Sequence, residues 1–189
     1  MESVTDAELM AEVRRGDREA FAELINRHKN TLVNYLNRLT GCRDRAEDCA
    51  QEAFLRLFQS ASRYHEQGRL VPYLYRIATN LVRSEDRKVR RWRFLSSAFS
   101  YNGHQPERAE RGPQSQLLEK EAKEKVNEAL AALPAHYRAP LVLREIEGWS
   151  YQDIAKAVGC REGTVKSRIN RGRSQLREIL QPYLNGGRK

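Results

Sequence analysis

The sequence predicts an all-α protein of two small helical domains joined by a flexible linker, the C-terminal one containing a helix-turn-helix. Three observations carry this. Apolar residues recur at three- and four-residue intervals along most of the chain. No strand-like alternation of useful length occurs, and a stretch rich in Ser, Gly and Pro breaks the helical pattern after Phe94. The spacing divides the chain into an N-terminal domain over 1–94, a linker over 95–116 and a C-terminal domain over 117–189.

Each element has a local cause. Thr5 with Glu8 forms a capping box, and Gly16 closes the short helix carrying Leu9 and Val13. Asp17 can cap the next helix, whose Phe21, Leu24, Ile25, Leu32, Val33, Leu36 and Leu39 continue at helical spacing to Gly41. Asp44 with Glu47 opens a third helix with Cys49, Phe54, Leu57 and Phe58. Pro72 suits the first turn of a fourth, which runs through Leu74, Ile77, Leu81 and Val82. Between Leu95 and Gln116, Asn102-Gly103, Pro106 and Gly112-Pro113 suit a tether and cannot build a core. Helix resumes from Leu117 toward Leu133, and another follows Pro134 with Leu141, Val142 and Ile146 before Gly148 ends it.

The most informative segment comes next. Ser150 with Asp153 caps a helix from Tyr151, and Gly159 ends it in the left-handed conformation. Val165 must then face Ile154 and Val158, which leaves Thr164, Lys166, Ser167, Asn170, Arg171 and Arg173 pointing outward. Those side chains hydrogen-bond phosphates and base edges, so the segment reads as DNA-binding. A second basic surface runs over 83–94, where Arg83, Arg87, Lys88, Arg90, Arg91 and Arg93 follow Tyr73, Tyr75 and Asn80. Cations beside aromatic rings fit a melted strand, whose bases stack while its backbone is neutralised.

Composition agrees. The 189 residues carry a formal net charge of +9, in keeping with a polyanionic partner. No apolar run approaches the roughly 18–20 residues that span a bilayer, and the N-terminus lacks a basic-then-apolar signal pattern, so a cytoplasmic protein without membrane insertion is expected. Cys42, Cys49 and Cys160 lack metal-ligand spacing and read as small apolar residues, although Cys42 and Cys49 are close enough in sequence to form a redox pair. His28, His65, His104 and His136 read as surface or loop residues. Asp48, Gln51 and Glu52 share one helix face ahead of Phe54, Leu57 and Phe58. Two carboxylates could serve an acid-base or metal site, but no third ligand stands near, and a docking face for a partner protein fits better. No catalytic residue, metal, cofactor or small-molecule substrate is expected.

Asp48-Cys-Ala-Gln-Glu-Ala-Phe54, Tyr73-Leu-Tyr-Arg-Ile-Ala-Thr-Asn80, Tyr151-Gln-Asp-Ile-Ala155 and Gly163-Thr-Val-Lys-Ser-Arg168 stand in order around the linker. With these marks the chain resembles the extracytoplasmic-function sigma factors, the small bacterial RNA polymerase specificity subunits, from Asp17 to about Arg177. The resemblance implies that Asp48, Gln51, Glu52 and Phe54, with Arg56 and Leu57, contact core RNA polymerase. It implies that the loop and helix through Arg63, Tyr64, Tyr73, Arg76, Asn80, Arg83 and Arg87 capture the melted −10 element. It assigns −35 reading to Arg161, Thr164, Lys166, Ser167, Asn170 and Arg171. Tyr73 stands where relatives often carry Trp, and Arg161 where they often carry Pro or Ser. Core polymerase, promoter DNA and an anti-sigma factor, in a stress response, are the partners the resemblance implies. The rival reading is a stand-alone helix-turn-helix regulator, which usually adds a dimerisation heptad or a ligand domain that this first half lacks.

Overall fold

The computed structural model describes residues 4–64, 70–96 and 125–185, and among these all regular elements are helical. Helix α1 (Asp6–Arg14) opens with the expected capping box: Thr5 Oγ1 accepts from Glu8 N at 3.3 Å, and Glu8 Oε2 accepts from Thr5 N at 2.7 Å. Asp17 caps α2 (Arg18–Thr40) by accepting from Glu19 N at 2.8 Å and Ala20 N at 3.1 Å. Gly41 ends that helix at φ +70°, a conformation a side chain would strain.

Helix α3 (Arg43–Ser60) starts one residue before the expected Asp44, and Cys42 in the cap position has extended backbone but makes no side-chain bond to the helix. Glu47 pairs instead with Arg43 at 2.7 Å. An unused cap position is improvable: Cys42→Ser should gain about 1 kcal/mol. The check is urea unfolding, where the midpoint should rise at unchanged slope.

A 3-10 turn (Ala61–Arg63) follows α3, and α4 (Leu70–Ser96) completes the first unit. Helix α5 covers residues 125–132, α6 Ala135–Glu145, α7 Tyr151–Val158 and α8 Glu162–Asn185. Of the linker expected over 95–116, Leu95 and Ser96 instead end α4, while 97–116 lie outside the described residues, as do residues 117–124 of the helix expected from Leu117.

The first core is built from Leu24, Leu32, Tyr35 and Leu36 of α2, Ala46, Ala53 and Leu57 of α3, and Leu74 and Ala78 of α4, each at most 1% exposed. Its polar exception is satisfied: the hydroxyls of Tyr35 and Thr79 lie 2.8 Å apart, and burial holds the phenol well above its ordinary titration range. Cys49 is buried with its Sγ 3.8 Å from the Glu85 carboxylate, so desolvation, and then the negative neighbour, push the thiol up to about 11. All three cysteines are free. His28 departs from the surface-or-loop expectation, because it sits within α2, half-buried, with Nε2 at 2.7 Å from Asp6 Oδ2. His136 lies on α6, whereas His65 and His104 fall outside the described residues.

The second core uses Leu133, Leu141, Val142, Leu143, Ile154, Val165 and Ile169. Gly172 brings α8 close to α6, where an added Cβ would meet Tyr137 and Leu141 at 3.5 Å. That is ordinary contact distance, so Gly172→Ala should fit and stabilise the helix by about 1 kcal/mol. Gly172→Leu should instead force the helices apart. Thermal melting of the two variants should shift in opposite directions.

Helix α7 lies against α4, and α6 against α2, so the apolar interiors of the two units join in one cluster.

Candidate nucleic-acid interface

The helix-turn-helix is α7, a glycine turn and α8. Ser150 Oγ accepts from Asp153 N at 3.1 Å and donates to Asp153 Oδ2 at 2.6 Å, which sets the first turn of α7. Gly159 at φ +67° reverses the chain, with Cys160 N bonding back to Ala155 O at 3.0 Å. Ile154, Val165 and Ile169 are 0–1% exposed and fix the rotation of α8 about its axis. The consequence is the face the sequence implied: Arg161, Thr164, Lys166, Ser167, Asn170 and Arg171 are all exposed.

Not all of these are equally available. Lys166 Nζ lies 2.9 Å from Glu162 Oε1 and 5.3 Å from the centre of the Tyr151 ring, and the Glu162 bond raises its pKa. Arg173, outward as expected, is held by Glu145 at 2.6 Å. Arg161 and Arg171 have no ion pair among the described residues, so their guanidinium groups are free to meet a polyanion. Arg168 turns aside, its Nη1 3.6 Å from Cys160 Sγ.

On α4, Arg76, Asn80, Arg83 and Arg87 recur at four-, three- and four-residue steps and so form one strip. Arg76, Asn80 and Arg87 are exposed, as is Arg63 before the helix. Arg83 is not: it donates from Nη1 to Val158 O at 2.9 Å, and burial followed by the nearby Arg168 and Arg87 charges lowers its pKa. Tyr73 is half-buried, with its hydroxyl 3.3 Å from Ser60 Oγ and its ring 5.2 Å from that of Tyr64. Tyr64 is 8% exposed, so in this conformation its ring supports Tyr73 rather than offering a face to a base.

The face of α3 is mixed. Asp48, Gln51 and Arg56 are exposed and Glu52 partly so, with Arg56 Nε bonded to Glu52 Oε1 at 2.7 Å. Phe54 and Leu57, which the resemblance placed in the same contact, point inward at 5% and 1% exposure. At about 100° per residue they fall about 240° and 180° around the helix from Asp48. Leu55 falls within about 20° of Asp48, and it is 49% exposed, with Phe58 beside it at 39%. Applying the i, i+3, i+4, i+7 rule to the polar face would have found Leu55, because it completes the series 48, 51, 52, 55. The described residues contain no group of side chains able to hold a metal ion, and no helix among them is long and apolar enough to cross a membrane.

Comparison with known proteins bears on both units. A family model described as Sigma-70 region 2 matches residues 24–93, and one described as Sigma-70, region 4 matches residues 123–176. The chain is 32% identical to the RNA polymerase sigma-H factor of Pseudomonas aeruginosa over 95% of each chain. It is 31% identical to the ECF RNA polymerase sigma-E factor of Haemophilus influenzae, over 97% of this chain and 99% of the other. Among solved structures it is similar to the sigma factor RpoE of Bartonella quintana, crystallised in complex with the anti-sigma factor NepR. That match has a TM-score of 0.66 and 26% identity, and covers 85% of this chain and 96% of the other.

Proposed function

The chain belongs to the sigma-70 family, of the extracytoplasmic-function type, and directs core RNA polymerase to specific promoters, where it starts DNA melting; on that premise we propose which residues do each part. Asp48, Gln51, Glu52, Leu55 and Arg56 of α3 form the polymerase contact, with Phe54 and Leu57 acting as the packing that holds that face in place. Arg63, Tyr73, Arg76, Asn80 and Arg87, joined by Arg83 when it is released from Val158, hold the −10 strand. Extruding a base costs a few kcal/mol, and stacking with cationic contacts to the backbone offsets that at about 1–3 kcal/mol per base. Arg161, Thr164, Lys166, Ser167, Asn170 and Arg171 read the −35 element in the major groove.

The observation that carries this reading is the pairing, in one chain, of an outward polar face on α8 with a basic strip on α4. The protein acts by binding and has no catalytic residue of its own. It works in the cytoplasm, where an anti-sigma factor restrains it until a stress signal arrives.

Run-off transcription with core polymerase on fragmented genomic DNA of the source organism tests the whole. Defined start sites should appear when the chain is added, and unchanged initiation would defeat the assignment. Replacing Gln51 and Glu52 together by Ala should weaken co-purification with polymerase while the melting temperature holds. Undiminished co-purification would remove α3 from the contact.

A further inference from the structure

A carboxylate stands among the cations that face DNA. Glu162 opens α8, and its Oε1 lies 2.9 Å from the Nζ of Lys166, one turn further on. Nearby acids are committed elsewhere: Asp153 to Ser150 at the start of α7, and Glu145 to Arg173. Phosphate repels a negative charge in the first turn of such a helix, yet this turn is where recognition helices meet base edges. The Glu162 side chain is 40% exposed. It also borders an open cleft of about 360 Å³ between α7 and α8, shared with Gln152, Lys156 and Arg161, so a ligand can reach the carboxylate.

The pair is held from outside as well. The Tyr151 ring centre lies 5.3 Å from Lys166 Nζ, and the Arg144 guanidinium stands 4.7 Å from the same ring. Arg144 is itself anchored, donating to Trp149 O at 2.7 Å. The ammonium thus touches both an anion and an aromatic ring, and it has fewer rotamers to lose on binding. An acceptor and a donor fixed 2.9 Å apart match the middle of a base pair seen from the major groove. In a C·G pair the cytosine N4 amino group and guanine O6 bond to each other at about 2.9–3.0 Å. Each keeps one further hydrogen-bonding position open to the groove.

We propose that Glu162 is a specificity-determining residue, whose carboxylate accepts from cytosine N4 while Lys166 donates to O6 of the paired guanine. The inference rests on the −35 reading above and goes beyond it, because it names the base pair. The other three pairs fit worse. A G·C pair sets O6 against the carboxylate and the amino group against the ammonium, so both contacts repel, and T·A fails in the same way. An A·T pair also offers an amino group and a carbonyl oxygen in the right order. Adenine N7 then faces the carboxylate, however, and the thymine methyl faces the ammonium. Beside C·G the same two places hold cytosine C5–H and guanine N7, and neither opposes its neighbour.

Promoter selection tests this. Core polymerase loaded with the full chain transcribes a pool of templates, built on a promoter found by the run-off mapping, whose −35 element is randomised. The transcribed templates are then sequenced. The unaltered chain should favour cytosine by about tenfold at one position of one strand. With Glu162→Ala that position should become indifferent while preferences elsewhere persist, which also shows that the variant is folded. Glu162→Gln should move the preference to adenine at the same position, because a carboxamide both accepts from N6 and donates to N7. Lys166→Ala should weaken the preference at that position too. An ion pair that only stabilises the helix predicts altered melting temperatures with an unchanged base profile. That result, or Glu162 and Lys166 variants acting on different positions, overturns the proposal. Templates transcribed equally with and without the chain would instead overturn the sigma assignment.

Discussion

Ile154→Ala is expected to remove most of the helix-turn-helix's stability. Ile154 is 0% exposed on an eight-residue helix that lies between α4 and α8, so few neighbours can collapse into the space it leaves. Truncation of a fully buried Ile costs about 2–5 kcal/mol, of which part is the unfilled cavity. Set against a total of about 5–15 kcal/mol for a folded protein, that is a large share. Because the interiors of the two units join, the same cavity loosens their mutual contact. Urea unfolding followed by circular dichroism should show the midpoint falling sharply, and −35 binding should fall with the folded fraction. A loss below about 1 kcal/mol would mean that this side chain is less tightly enclosed than its burial indicates.

The second large effect is its opposite: function lost with stability retained. Arg171 is exposed and has no ion pair among the described residues, so Arg171→Ala should alter stability by less than about 0.5 kcal/mol. If Arg171 contacts a base, the variant should lose about 1–3 kcal/mol of −35 binding and relax specificity at one position. Lys166→Ala should do more than its single charge suggests. Glu162, now 2.9 Å from Lys166, would be left as an unpaired carboxylate facing phosphate. Glu162→Gln in the Lys166→Ala background should therefore recover part of the loss. Binding to duplexes with and without the element, measured at several salt concentrations, checks all three variants. Equal affinity for both duplexes, or a fall in melting temperature for Arg171→Ala, would contradict the assignment.

What the sequence revealed was local. Thr5 with Glu8, Asp17, and Ser150 with Asp153 act within one helical turn, and each caps its helix as read. The outward face of α8 was legible because Val165 and Ile169 leave one rotation that buries both. The all-α class followed from periodicity alone, and the family was legible from ordered motifs. Failures came where a residue's role depends on which way a helix turns or on distant chain. Phe54 and Leu57 belong to a motif associated with a contact, yet their angular position sends them into the core. The resemblance placed Tyr64 in the −10 contact, yet its buried ring packs against Tyr73. Arg83 read as part of a basic run because nothing within a few residues signals Val158, 75 positions away. Arg138 and Leu39, 99 positions apart, gave no signal for the same reason. Trp149 attracted no reading at all, being one aromatic residue in a short connection.

Trp149 packed at a tilt against Tyr75 makes the protein its own optical probe. The chain holds only one other tryptophan, Trp92, so a Trp92→Phe variant leaves a single indole emitter. Its emission should move to longer wavelength as water reaches the ring, letting fluorimetry follow the loss of this packing during urea unfolding without any attached dye.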